Sequence, residues 1–163
     1  MFEKGNFVIN TNNGICEIQD IVTMNMSGTS KEYYLLIPVA EPTAKVYIPV
    51  DMAESRIRLV ITKEEAWNII HNIPSIESLW IESEKEREKI YKEALASREP
   101  ARLISIIKTL YLRKKERTEA GKKNTAVDER YFKLAENQLH SELAFALGEP
   151  KQNITHIIEE HLN

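Results

Sequence analysis

The period of the hydrophobic pattern changes at Thr62, and this change constrains the fold more than any other feature of the sequence. Between Phe7 and Val50, apolar residues tend to alternate with polar ones, which is typical of strands with one buried face. From Thr62 onward, apolar residues recur every three to four positions, as in amphipathic helices. The sequence therefore predicts an α+β chain, with a small β barrel in residues 1–60 and an all-helical domain of about five helices in residues 61–163.

Turn and breaker residues divide the first part into four or five short strands, enough for a small barrel. In the long strand over residues 16–26, Asp20 breaks the alternation, which predicts a bulge. Residues 27–30 have the composition of a hairpin turn. Pro49 cannot donate a ladder hydrogen bond, so its strand is expected to lie at an edge of the sheet or to end there.

Capping residues mark the first two helices. Residues 62–65 have the form of a capping box, and Pro74 is expected to end the helix that they begin. A second helix is expected to start at about residues 75–78 and to run to about Ser97. Trp80 would then lie in its first turns.

The remaining helices have similar signals. Pro100 suits the first position of a third helix, and the polar residues 118–124 are expected to form the loop after it. Thr125 is placed to cap a fourth helix, which Gly148 would end, and a short fifth helix follows.

Composition and motifs exclude several classes of protein. No apolar run approaches the roughly 20 residues that cross a bilayer, and the single Cys16 allows neither a disulfide nor a thiolate zinc site, so a cytoplasmic location fits best. No nucleophile elbow, zinc pair or glycine-rich dinucleotide turn is present, and His156 with Glu160 is a weak candidate for a metal site. We therefore expect no enzyme activity and no cofactor.

Basic residues are concentrated in one part of a chain whose net charge is −3. Between Arg98 and Lys123, nine Lys or Arg residues stand against three Glu, a local charge of +6. One or two cations would be explained by the dipole of a helix C-terminus, but this number favours contact with a phosphate backbone. The candidates for that contact are Arg113, Lys114, Lys115, Arg117, Lys122, Lys123 and Arg130.

Periodicity leaves two interpretations of Trp80 open. It follows the apolar Ile76 and Leu79 but precedes a strongly charged stretch. The indole could close the edge of a core, or it could stand exposed as a stacking wedge.

Five features in this order and spacing resemble the CarD/CdnL family of bacterial transcription regulators. They are a Gly14 turn, the segment KVYIPV at residues 45–50, Trp80, the run TLYLRKKE at residues 109–116 and the ending ELAFALG at residues 142–148. The resemblance implies an N-terminal Tudor-like or SH3-like module that binds the RNA polymerase β subunit. It also implies a helical domain that contacts promoter DNA at the upstream edge of the transcription bubble, with Trp80 as a minor-groove wedge.

The resemblance also implies site residues. Polymerase contacts are expected at Lys45, Tyr47 and Pro49, and Lys85 joins Trp80 and the basic residues as a DNA contact. The expected protein is a monomer that modulates the stability of the open promoter complex. The alternative is a polymerase-binding adaptor without a functional DNA contact, whose basic residues are merely solvated.

Overall fold

The computed structural model describes residues 1–162 and divides into two compact units. The first unit is Met1–Val60, and the second begins at Ile61. We describe each unit by itself.

The first unit is a five-stranded antiparallel sheet. Its strands are β1 (Phe7–Asn10), β2 (Gly14–Met26), β3 (Thr29–Pro38), β4 (Val46–Pro49) and β5 (Ile57–Leu59). Their order in the sheet is β4-β3-β2-β1-β5, and a short helix, α1 (Ala53–Arg56), precedes β5. Strands β4 and β5 are therefore the two edges of the sheet.

Local details of this sheet follow the predicted turn and breaker signals. The register between β2 and β3 shifts between Ile18 and Asp20, which confirms the bulge. Ser27 and Gly28 form the hairpin turn with φ angles of 54° and 79°, and a two-residue turn of type I′ requires positive φ at both positions. Pro49 is the last residue of an edge strand, as its missing donor predicts.

The core of the first unit lies on one face of the sheet. Leu36 and Ile18 are fully buried there, and the ring of Phe2 meets that of Tyr34 edge to face at 6.0 Å between centroids. The buried members of this core are Val8, Cys16, Ile18, Tyr34, Leu36, Ile48, Ala53 and Ile57.

The second unit contains five helices around a separate core, which confirms the predicted α+β class. They are α2 (Lys63–Asn72), α3 (Glu84–Ser97), α4 (Pro100–Glu119), α5 (Ala126–Leu147) and α6 (Lys151–Leu162). The fully buried side chains of this core include Ile70, Tyr91, Ile106, Leu143 and Ile154.

The helix ends lie largely where the capping residues predict them. Thr62 Oγ1 accepts a hydrogen bond from the Glu65 amide at 3.1 Å, and Glu65 Oε1 accepts one from the Thr62 amide at 2.9 Å, which completes the capping box. Thr125 Oγ1 accepts from the Asp128 amide at 3.0 Å. Gly148 ends α5 in the left-handed conformation, with a φ of 67°.

Two predicted boundaries were wrong. Helix α4 continues to Glu119, so the loop begins two residues later than predicted. Helix α3 begins at Glu84 rather than near residues 75–78, because a turn of 3₁₀ helix at Ile73–Ser75 leads instead into an extended chain. We call residues 76–83 the tryptophan segment, since they contain Trp80.

Hydrogen bonds from α4 explain why the tryptophan segment is not helical. Thr109 Oγ1 accepts a hydrogen bond from the Leu79 amide at 2.8 Å, and the Lys108 ammonium donates to the carbonyls of Ile73 and Ile76. These backbone groups therefore have partners outside a helix of their own. Ser83 then caps α3 by accepting from the Lys85 amide at 3.3 Å.

Candidate nucleic-acid interface

Trp80 is the most exposed large aromatic side chain in the described part of the chain. Its side chain is 88% exposed, whereas the next residue, Ile81, is buried in the core of the helical unit. Successive side chains of an extended chain point in opposite directions, so burying Ile81 directs Trp80 outward. Of the two interpretations of Trp80, the structure supports the exposed one.

The end of the tryptophan segment is tied to α4 by Arg113. The Arg113 guanidinium donates to both carboxylate oxygens of Glu84, at 2.7 Å and 3.2 Å, and its Nε lies 2.7 Å from Asp128 Oδ2. The side chains of Arg113 and Asp128 are 15% and 5% exposed. The guanidinium thus joins α4 to the first turns of two other helices, to α3 through the exposed Glu84 and to α5 through the buried Asp128.

Tyr91 and Arg87 extend this network. The Tyr91 hydroxyl donates to Asp128 Oδ1 at 2.9 Å and accepts from Arg87 Nη1 at 3.2 Å, and Arg87 Nε pairs with Glu84 at 2.9 Å. The hydrogen bonds from Arg113 lower the pKa of Glu84 to about 2, and the Glu84 carboxylate in turn raises the pKa of Arg113. Burial raises the pKa of Tyr91. Arg113 is therefore charged and paired within the unit, and a phosphate would have to displace carboxylates to reach it.

Four of the other predicted cations come together at the end of α4. Lys114, Lys122 and Lys123 are exposed, and Arg117 is half-buried, with its Nε donating to the Lys123 carbonyl at 2.9 Å. Gly121 reverses the chain with a φ of 77°, and the Lys122 amide donates to the Arg117 carbonyl at 2.7 Å. We call Lys114, Arg117, Lys122 and Lys123 the basic turn; Lys115 is also exposed on α4.

Lys85 and Arg130 lie on other helices. Lys85 is exposed in the first turn of α3, close in sequence to Trp80 but among the exposed Glu82 and Glu86. Arg130, on α5, is 59% exposed, pairs with Glu88 at 3.3 Å and lies over the ring of Tyr131 at 5.0 Å. Part of the positive charge of Arg130 is therefore balanced within the protein.

The predicted polymerase contacts lie at one edge of the sheet in the first unit. Tyr47 is 40% exposed and pairs with Leu35, and Pro49 pairs with Tyr33. Lys45 is exposed immediately before β4. Because β4 is an edge strand, its outer side has no neighbouring strand within the sheet and can accept a strand from a partner.

Residues 2–61 match the family model of the CarD-like/TRCF RID domain. The first unit is a CarD-like/TRCF RID domain. The match confirms the predicted resemblance to the CarD/CdnL family. Domains of this family are non-catalytic modules that interact with RNA polymerase, and residues 2–61 match such a domain. A comparison with the curated proteins found no match.

Within residues 1–162, no three His, Cys, Asp or Glu side chains cluster closely enough to hold a metal ion. No helix in that range combines the length and apolar composition needed to cross a membrane.

Sequence reasoning missed the residues that hold the tryptophan segment. Lys108, Thr109 and Asp128 were not predicted to have a role, although each interrupts an otherwise apolar helix face. Asp128 precedes the core residues Tyr131 and Ala135 by three and seven positions, so its carboxylate had to face the core. A buried carboxylate is normally paired with a cation, so the expected burial of Asp128 could have indicated that one of the predicted basic residues faces the core.

Proposed function

We propose that this chain binds the RNA polymerase β subunit through the β4 edge and contacts promoter DNA at the upstream edge of the transcription bubble. In this proposal, Trp80 stacks against the opened duplex and the basic turn neutralises phosphates. The result is a change in the stability of the open promoter complex.

The exposure of Trp80 carries this proposal. An 88% exposed indole on a segment whose backbone is hydrogen-bonded to α4 is already presented to a partner. Stacking of an aromatic side chain on a base contributes about 1 to 3 kcal/mol, which is comparable to the cost of unstacking one duplex step. Trp80 would therefore shift an existing equilibrium between closed and open promoter rather than drive opening alone.

The basic turn would supply the contacts with the DNA backbone, which do not depend on the base sequence. Its three lysines are exposed, and it lies at a chain reversal that can follow a phosphate backbone. Arg113 is not part of the contact surface that we propose, because Glu84 and Asp128 already pair with it.

The β4 edge would dock on the β subunit. Lys45, Tyr47 and Pro49 lie at or beside one edge strand, where main-chain groups can pair with a partner strand while the Tyr47 side chain adds specificity. Replacing Tyr47 with Ala is expected to weaken capture of the β subunit. Leu59→Ala, a change of an exposed apolar residue on the opposite edge, is the matched control and should leave capture unchanged.

One observation favours a second function, that of an adaptor that binds polymerase without a functional DNA contact. Glu82 and Glu86 are exposed on either side of the start of α3, close in sequence to Trp80, and would repel a phosphate backbone. In this case Trp80 would contact a protein surface instead.

Open-complex lifetime tests the proposal against the adaptor. Trp80→Ala is expected to shorten the lifetime of open complexes without weakening binding to the β subunit, whereas the adaptor function predicts an unchanged lifetime. Trp80→Phe should retain part of the effect because it retains a stacking surface. Leu134→Ala removes an exposed apolar side chain from α5 and serves as the control.

The salt dependence of DNA affinity tests the basic turn. Replacing Lys114, Lys122 and Lys123 with Gln is expected to reduce the slope of log affinity against log salt by about 0.9 for each phosphate that the variant no longer neutralises. Lys92→Gln removes an exposed lysine from α3 and is the control. Equal slopes for wild type and triple variant would favour the adaptor.

A further inference from the structure

Helix α4 holds both ends of the tryptophan segment. At the beginning, Lys108 donates to the carbonyls of Ile73 and Ile76, and in the middle Thr109 accepts from the Leu79 amide. Just after the end, Arg113 grips Glu84, the first residue of α3. The three residues that make these contacts lie within residues 108–113 of one helix.

We propose that Arg113 is a positioning residue, which fixes the end of the tryptophan segment and thereby the direction in which the Trp80 indole projects. The consequence for DNA rests on the function proposed above, whereas the positioning itself is a property of the free protein. Arg113 does not touch the partner of Trp80; it acts through Glu84.

The geometry of the pair suits this role. Arg113 binds both oxygens of Glu84, which restricts rotation of the carboxylate as well as its distance. Asp128 holds the other side of the guanidinium at 2.7 Å, and the Tyr91 hydroxyl holds Asp128 at 2.9 Å. The Arg113 guanidinium is therefore fixed against α5 by Asp128. Of its two carboxylate partners, Glu84 is the one that belongs to α3.

The two carboxylates that pair with Arg113 differ in exposure, and this difference separates the effect of Arg113 on the position of the tryptophan segment from its effect on folding stability. The Glu84 side chain is 71% exposed, and ion pairs at exposed carboxylates contribute little to folding. Asp128, in contrast, is 5% exposed, and its pair with Arg113 belongs to the interior. Removing Glu84 should therefore release the segment and leave the buried pair in place.

Time-resolved fluorescence anisotropy of Trp80 measures this release directly. The chain has two tryptophans, so Trp67→Phe leaves Trp80 as the single reporter. In that background, we expect Glu84→Ala to lower the local order of the indole, seen as a larger fast-decaying fraction of the Trp80 anisotropy. The midpoint of thermal unfolding should change little.

Glu86→Ala is the matched control. Glu86 is exposed in the same first turn of α3, so its loss removes the same charge from the same helix start, but Arg113 pairs with Glu84 instead. Arg113→Lys should give intermediate order, because an ammonium keeps the charge beside Asp128 but cannot form the two parallel bonds to Glu84.

The proposal is overturned if Glu84→Ala leaves the order of Trp80 at its starting value, or if Glu86→Ala lowers it equally. Because these measurements use the free protein, they are independent of DNA. If Glu84→Ala frees the indole while Trp80→Ala leaves open-complex lifetime unchanged, positioning stands and the proposed DNA function fails. If both variants shorten the lifetime, the positioning serves that function.

Discussion

Removing the Arg113 side chain is expected to destabilise the second unit by about 3 kcal/mol. Arg113→Met would leave the Asp128 carboxylate, which is 5% exposed, without the cation that pairs with it, while the Tyr91 hydroxyl would still donate to Asp128 Oδ1. Breaking a buried ion pair typically costs about 3 to 5 kcal/mol, and the lower value applies here because the Tyr91 hydrogen bond persists. In a unit of this size, such a loss lowers the melting temperature by roughly 12 to 24 °C.

Urea unfolding followed by tryptophan fluorescence measures this loss, since Trp67 and Trp80 both lie in the second unit. The double variant Arg113→Met with Asp128→Asn should recover at least half of the lost stability, because the amide still accepts from Tyr91 without an unpaired charge. A loss below about 1 kcal/mol, as for exposed pairs, would refute the reasoning. So would a double variant no more stable than Arg113→Met alone.

Three further predictions concern pH, a helix cap and the first core. The Arg113 hydrogen bonds lower the pKa of Glu84 from 4.5 to about 2, so the small contribution of this exposed pair to stability is complete above pH 4.5 and is lost as the pH falls toward 2; NMR titration of the Glu84 side-chain carboxyl carbon should give a midpoint near 2, and a midpoint near 4.5 would contradict it. Thr125→Ala should cost about 1 kcal/mol of unfolding free energy by removing the cap of α5, whereas Thr118→Ala, on the exposed end of α4, should cost much less. Leu36→Ala should lower the unfolding free energy of the first unit by about 2 to 5 kcal/mol, because it leaves a cavity in a fully buried core. The loss would be measured as unfolding at lower urea concentration, followed by the near-ultraviolet circular dichroism of the tyrosines. A change under about 1 kcal/mol would argue against this core.

Local signals were sufficient where a few neighbouring residues determine the structure. The capping box at Thr62, the bulge at Asp20 and the left-handed Gly148 each depend on contacts within a few positions, and the structure has all three. The change of period at Thr62 likewise placed the sheet before the helices.

The start of α3 could not be predicted in this way. The hydrogen bond between Thr109 and the Leu79 amide joins residues 30 positions apart, and that between Arg113 and Glu84 joins residues 29 positions apart. Such long-range contacts override helix propensity, and periodicity does not reveal them. For the same reason, Arg113 looked like its exposed neighbour Lys114, although Asp128 draws it inward.

The hydration of Trp80 has a thermodynamic consequence for any partner that covers it. In the free protein the indole is exposed to solvent, so its apolar surface adds little to folding stability. That surface is buried only when a partner covers it. Burial of apolar surface on binding gives a negative change in heat capacity, and its contribution weakens on cooling. The contribution of Trp80 to the binding free energy should therefore decrease as the temperature is lowered. The contribution of the basic turn should instead decrease as the ionic strength is raised.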